Sequence, residues 1–245
     1  MPTDRTRFVL VGTSHAGNVG AAARAIKVMG FGELLLVAPR WADAAQRPEA
    51  VAMASGATDV LERARVVASL DEALAGATYV CATAMVQRDF GPPTFAPRQL
   101  LPGLASKPHD VAFVFGSERF GLGNNDVYRC NACLRIDTAD DYGSLNLAQA
   151  VQVIAYEWRL AQSVAPSAPA PRPRAAPGDA LADTASLLGL ADHWQAVLQR
   201  LGYFDPKLPR KLMPRLLRLI QRAEPSVDEV QILRGVARAI DERCR

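Results

Sequence analysis

Residues 143–158 read GSLNLAQAVQVIAYEW, and the reading of this stretch decides how the chain is assembled. A strand-like run, CLRID (133–137), feeds a polar loop, TADDYG (138–143), and the pattern predicts a long helix entered at Ser144. Leu147, Val151, Ile154 and Trp158 recur at helical spacing and form one apolar face. Ahead of them stand Tyr142, Gly143, Ser144 and Asn146, which are small or able to hydrogen-bond. A helix packed through its later turns but polar at its start leaves free N–H groups and the positive end of its dipole open to a ligand. A plain serine N-cap on a core helix would account for the same residues.

Outward from this segment, strand signals alternate with helix signals. FVLVGT (8–13), LLLVA (34–38), RVVAS (65–69), YVCAT (79–83), VAFVF (111–115) and LRID (134–137) are short apolar runs. Helical patterns lie at 18–29, 46–54, 71–75, 125–131 and 145–162. This alternation predicts an α/β fold, a parallel sheet with helices on both faces. Ligands of such sheets sit beyond the carboxyl ends of the strands. The loops that matter are therefore 12–18, 83–93, 116–124 and 138–144.

Residues 163–178, SVAPSAPAPRPRAAPG, hold five prolines and read as an extended linker. The linker divides a first domain, 1–162, from a small all-helical domain, 179–245. In the latter, helices are expected at 191–201 and 207–222, and Ser226 opens a capping box with Glu229. Residues 1–162 carry 15 Lys/Arg against 16 Asp/Glu, whereas 200–222 carries seven basic residues against Asp205 alone. A basic stripe of this density suits a polyanion, or forms a solvated helix face.

No apolar run approaches a membrane span, and the start, MPTDRTRF, lacks the apolar segment of a secretory signal. Four cysteines without regular spacing point to a reducing compartment, the cytoplasm. Cys130-x-x-Cys133 lacks further zinc ligands nearby, since His15, His109 and His193 are remote, and it reads as structural. Gly12-x-x-x-x-Gly17 has the glycine spacing of a phosphate-binding loop, but Asn18 and Val19 replace its lysine and hydroxyl residue. Triphosphate hydrolysis is thereby disfavoured. What is left is a helix entrance with Arg24 and Lys27 on one face. After VAFVF, Gly116 and Gly121 bracket Glu118 and Arg119 at the ligand end of the sheet.

NVGAAARA (18–25), FGSERFGL (115–122) and GSLNLAQAV (143–151), in this order and spacing, resemble the three motifs of the SPOUT-class RNA 2′-O-ribose methyltransferases. Within that class the chain is similar to the TrmJ-type tRNA (cytidine/uridine-2′-O)-methyltransferases, and the likeness extends through LMPRLLRLIQRA (212–223) and VQILRG (230–235). The resemblance implies that the α/β domain ends in a deep trefoil knot, a rare exception to unknotted connection. It implies S-adenosylmethionine, bent, against Thr83, Ala84, Met85, Gly116, Ile136, Gly143, Ser144 and Leu145. It sets Asn18, Arg24, Glu118, Arg119, Ser144 and Asn146 around the ribose and its phosphate, with Arg24 as the activating residue. Arg24 and Arg119 would touch the RNA near the reaction, and Lys207, Arg210 and Lys211 farther out on the tRNA. The implied target is C or U at position 32 of the anticodon loop, a splayed nucleotide whose 2′-hydroxyl marks it as RNA.

A homodimer is implied, and no metal, because a sulfonium methyl is already electrophilic. One departure stands out. Where the family often shows Thr-Ser-Ala-Arg, this chain reads Thr83-Ala84-Met85-Val86-Gln87-Arg88, so Arg88 is the candidate replacement for the arginine missing at Val86. A ribosomal RNA 2′-O-methyltransferase and a non-catalytic RNA-binding protein of the same fold are the alternatives.

Overall fold

The computed structural model describes residues 5–84, 89, 91–164, 178–207 and 211–244. Met85, Val86, Gln87, Arg88, Arg210 and residues 165–177, which hold most of the expected linker, lie outside the described residues.

Seven parallel strands form one sheet: β1 (Arg7–Val11), β2 (Glu33–Val37), β3 (Arg65–Val67), β4 (Tyr79–Thr83), β5 (Thr94–Phe95), β6 (Val111–Phe115) and β7 (Ala132–Leu134). Their order is β3-β2-β1-β6-β4-β7-β5. The period-two alternation of a strand divides each apolar run between two cores. Phe8, Leu10, Leu34, Leu36, Phe113 and Phe115 face one side; Val9, Leu35, Val37, Val80, Ala82 and Val114 face the other. The first side is covered by α1 (Ala16–Val28), α2 (Pro48–Ala54), α3 (Thr58–Arg63), α5 (Pro97–Ala105) and α7 (Leu147–Val164). The second is covered by α4 (Leu70–Leu74) and α6 (Asn124–Tyr128). Val151, Ile154 and Trp158 are buried, and the Trp158 ring meets Phe113 edge-on at 5.6 Å.

Several boundaries differ from the sequence reading. The helix expected from Ser144 begins at Leu147, because Asn146 caps it: its Oδ1 accepts from Ala148 N at 2.9 Å and Gln149 N at 3.4 Å. An asparagine oxygen satisfies the orphan N–H groups that Ser144 was expected to serve. The helix also runs on to Val164, so the first two residues of the proline-rich stretch are helical. The last strand ends at Leu134, where its pairing to Phe95 ends, and this leaves Ile136 in the following loop. Helix α5 was not among the expected helices, and it contains Pro97, Pro102 and Gly103. Pro97 occupies the first helical turn, where no N–H is needed, and buried Leu101 and Leu104 anchor the rest. Helix α3 and the two-residue β5 were likewise unforeseen.

Toward the C-terminus, α8 (Thr184–Arg200), α9 (Leu212–Ala223) and α10 (Val227–Arg243) enclose a small core of Leu187, Leu190, Ile220 and Val230. The Ser226–Glu229 capping box is present at the start of α10. These helices rest on the sheet domain. Thr184 N and Oγ1 donate to Ala77 O at 2.8 and 2.9 Å, and Gly76 N donates to Asp183 Oδ2 at 2.8 Å. From α9, Gln221 Nε2 donates to Arg129 O at 2.9 Å. Among the described residues no helix is long and apolar enough to cross a membrane.

Candidate active site

The carboxyl ends of β4 and β6 and the segment entering α7 enclose a cleft of about 320 Å³. Thr83, Ala84, Gly116, Ser144, Leu145, Leu147 and Ala150 line it together with the turn 117–122. A second cavity of about 100 Å³ shares Thr83, Ala84, Leu145 and Ala150 with it and extends to Ile136, Thr138 and Gly143. Every described residue that the resemblance assigned to the cofactor thus borders one continuous groove.

The turn after β6 is held by its glycines. A Cβ on Gly116 would run into the backbone of Gly121 and Leu122, so only glycine permits the chain to fold back so closely. Gly121 takes the left-handed conformation, φ 65°, and its N–H donates to Ser117 O at 2.9 Å. The turn thrusts Glu118 toward the β1–α1 loop. There the Glu118 carboxylate accepts from Thr13 Oγ1 (3.0 Å), Ser14 N and Oγ (both 2.9 Å), His15 N (3.3 Å) and Asn18 Nδ2 (2.8 Å). Partial burial pushes its pKa up, but the hydrogen bonds from Asn18 and Ser14 outweigh burial and hold it at about 2. Asn18 in turn accepts from Asn146 Nδ2 at 2.9 Å. Glu118, Asn18 and Asn146 therefore form one chain of hydrogen bonds, which ties the β1–α1 loop to the start of α7. The Glu118 carboxylate, adjacent in sequence to Arg119, thus turns to the β1–α1 loop.

Arg119 and Ser144 border the cleft and are exposed. The Arg119 guanidinium lies over the Phe120 ring, 5.0 Å from its centroid. Arg24 is elsewhere. It is exposed on α1, lines neither cavity, and sits six residues past Asn18, about 9 Å along the helix axis. Among the described residues it has no ion pair, whereas Lys27, expected beside it, is bound to Asp59 at 2.6 Å. Gly20 on the same helix packs against the Ala50 carbonyl, and this close approach by α2 explains the small residues of 20–23.

The basic stripe resolves into parts. Arg200 is paired with Asp241 at 2.8 Å, and Lys207 is exposed in the turn that follows α8. Lys211, Arg215, Arg218 and Arg222 recur at four-, three- and four-residue spacing, one exposed face of α9 and its entry. Arg218 and Arg222 border a cavity that also touches Tyr79, the first residue of β4, while Thr83, its last, borders the cleft. The stripe and the cleft thus belong to opposite ends of the sheet. Cys81, Cys130 and Cys133 are buried thiols in no disulfide among the described residues, and burial pushes the Cys130 thiol up.

Sequence reasoning missed Thr13, Ser14, Ser117 and Phe120. All four lie in loops that the strand-end rule had singled out, and the signal was position alone.

Residues 5–156 match the SpoU rRNA Methylase family, and residues 185–245 match the C-terminal domain of the tRNA methyltransferase TrmJ. The chain belongs to the SpoU methylase family, and its C-terminal helices are of the TrmJ type. It is 42% identical over 241 residues, 97% of this chain and 96% of the other, to the tRNA (cytidine/uridine-2′-O-)-methyltransferase TrmJ of Klebsiella pneumoniae. It is 43% identical to the tRNA (cytidine/uridine/adenosine-2′-O-)-methyltransferase TrmJ of Pseudomonas aeruginosa, covering 95% of this chain and 92% of that one. Among solved structures, TrmJ from Z. mobilis ZM4 superposes with a TM-score of 0.81 at 31% identity, covering 96% of this chain and 99% of that one.

Proposed function

We propose that this protein transfers a methyl group from S-adenosylmethionine to a ribose 2′-hydroxyl of tRNA, at C or U of the anticodon loop. The observation that carries the reading is the Glu118–Asn18–Asn146 chain, set at the mouth of a groove walled by small residues and backbone. The groove suits this cofactor. It is of small-molecule size, and among its described lining residues Arg119 is the only cation, so it is not built for a phosphate. Thr83, Ala84, Gly116, Ile136, Gly143, Ser144 and Leu145 would hold the cofactor, Met85 with them. When bound, S-adenosylmethionine supplies an electrophilic methyl group on its sulfonium.

The chain's own residues divide the remaining work. Glu118, held at about 2 and already accepting five hydrogen bonds, is too weak and too committed to act as a base. It and the two asparagines are positioning residues that preform the mouth of the groove. Arg24, with its planar guanidinium, holds the 2′-hydroxyl and the neighbouring phosphate and stabilises the negative charge that develops on the attacking oxygen. The proton leaves to a phosphate oxygen or to water. Ser144 orients the nucleotide, and Arg119 holds the RNA backbone.

We propose a homodimer. Val28 of α1 and Tyr156, Leu160 and Val164 of α7 are exposed apolar residues on two helices packed side by side. Arg24 lies on α1 away from its own groove, and a dimer through this face would let it serve the groove of the second subunit. The knot implied by kinship is consistent with the strand order, in which β6 and β7 are each inserted between strands that precede them in sequence. The α9 stripe, with Lys207 and Lys211, would hold the tRNA body at the far end of the sheet, and Arg210, outside the described residues, is proposed as a further contact to the tRNA. A tRNA substrate implies the cytoplasm, and the TrmJ-type C-terminal helices favour tRNA over ribosomal RNA.

The test is incubation with methyl-labelled S-adenosylmethionine and separate pools of tRNA and ribosomal RNA, followed by mapping of the 2′-O-methylated nucleotide. Label in an anticodon-loop ribose is expected. Label confined to ribosomal RNA, or RNA bound without label, would overturn the reading.

A further inference from the structure

We propose that Phe120 is a stacking platform for an unpaired base of the RNA substrate, presented at the rim of the methyl-transfer site. This rests on the RNA methyltransferase reading above. The Phe120 ring belongs to no hydrophobic cluster and is 77% exposed, although it borders the cleft. Exposure of so large an apolar group at a binding cleft calls for an occupant.

The backbone that carries the ring is also held. Its own N–H donates to Ser117 Oγ at 3.3 Å, and the left-handed Gly121 closes the turn immediately after it. A backbone fixed in advance loses little freedom on binding. Arg119 lies over it, 5.0 Å from guanidinium carbon to ring centroid, and at that exposure the opposite face of the ring is open. An aromatic ring and a guanidinium plane side by side are the two surfaces on which splayed single-stranded bases stack.

The chemistry requires such a surface. To bring a 2′-hydroxyl to the groove, the RNA must turn its backbone inward, and bases near the target lose their neighbours. Stacking on Phe120 compensates for that loss. It reads no hydrogen-bond edge, because every base has a flat face. The platform therefore holds pyrimidine and purine alike, and any base selectivity lies in other contacts.

The experiment uses the full chain and anticodon stem-loop RNAs that carry the fluorescent base pyrrolocytosine at the target nucleotide or at either neighbour. One of the three RNAs is expected to change its emission on binding, and Phe120→Ala is expected to abolish that change. The same variant should raise KM for tRNA roughly 5- to 150-fold, with kcat and cofactor affinity held within about twofold. Phe120→Trp should restore both KM and the emission change. Wild-type KM and emission in Phe120→Ala would overturn the platform while leaving the methyltransferase reading intact. Loss of cofactor binding in Phe120→Ala would assign the ring to the fold of the turn, and conversion of a dimer to monomers would assign it to a subunit contact; both overturn the proposal. A wild-type protein that methylates no RNA overturns the underlying reading, and the platform with it.

Discussion

Asn146 Nδ2 donates to Asn18 Oδ1 at 2.9 Å, joining two helix starts that are 128 residues apart in sequence. The direction of this bond is dictated from Glu118. An ionised carboxylate only accepts, so Asn18 must turn its amide nitrogen toward it, which leaves the Asn18 oxygen to accept from Asn146. Asn146 then has its own oxygen free to cap α7. One carboxylate thereby sets the orientation of two amides and of the helix entrance beside the groove.

Asn18→Asp tests this relay. The substituted side chain has the same shape but cannot donate, and it would place a second carboxylate where Asn18 Nδ2 now lies 2.8 Å from Glu118 Oε1. The variant should melt lower than wild type at pH 7, by a ΔΔG of about 1–3 kcal/mol. The deficit should shrink as the pH falls into the carboxylate range, where one of the pair takes up a proton. Thermal melts at pH 7 and pH 5 check this; an equal deficit at both would refute it.

Glu118 also makes an acid-stability prediction. Its folded pKa, about 2, lies below the ordinary 4.5, so its contribution is fully present above 4.5 and is lost as the pH falls toward 2. After allowance for solvent screening the contribution is about 1–2 kcal/mol. Chemical unfolding of wild type and Glu118→Gln between pH 7 and pH 2 should show the two curves converging at the acid end. Parallel curves would mean that the charge is not stabilised by the loop.

Gly116→Ala should distort the turn, because the added methyl group meets the backbone of Gly121 and Leu122. A cost of about 1–3 kcal/mol is expected for such overpacking. Cofactor affinity should fall at least about tenfold, since the same turn walls the groove. Isothermal titration with S-adenosylmethionine and a thermal melt measure both.

Arg24 separates binding from chemistry. It is exposed, and among the described residues it has no ion pair, so Arg24→Ala should leave the melting temperature unchanged. Methyl transfer to tRNA should fall by about 100-fold or more, while cofactor affinity stays close to wild type. Arg24→Lys should recover only a part, because a point charge does not reproduce the guanidinium fork. Turnover of Arg24→Ala near the wild-type rate would remove the residue from the mechanism.

The α9 stripe predicts a salt dependence. Replacing Arg218 and Arg222 with glutamine should weaken tRNA binding and reduce the slope of log affinity against log salt by roughly one per lost phosphate contact. Arg200→Gln serves as the contrast. Its partner is Asp241, so it should cost stability and leave the slope unchanged. An unaltered slope in the Arg218/Arg222 variant would leave the stripe as a solvated face.

The sequence by itself determined the layered α/β architecture, because short apolar runs such as VAFVF and ELLLV alternate with helical patterns, as strands buried on both faces of a sheet do. It pointed to the strand ends as well, and two of its three motifs, FGSERFGL and GSLNLAQAV, border the cavities there. Ser226 with Glu229 was legible as a helix start for the same local reason: a cap is made within four residues. Only the tertiary structure decided what depends on approach between distant segments. Asn146 rather than Ser144 caps α7 because Asn18 arrives to orient it. Helix α5 forms despite its prolines because Leu101 and Leu104 find a core to enter. Glu118 bonds the β1–α1 loop and not its neighbour Arg119, because the Gly116–Gly121 turn aims it there. Local patterns fix what a segment can become, while the direction in which a side chain points is set by the partner that folding brings to it.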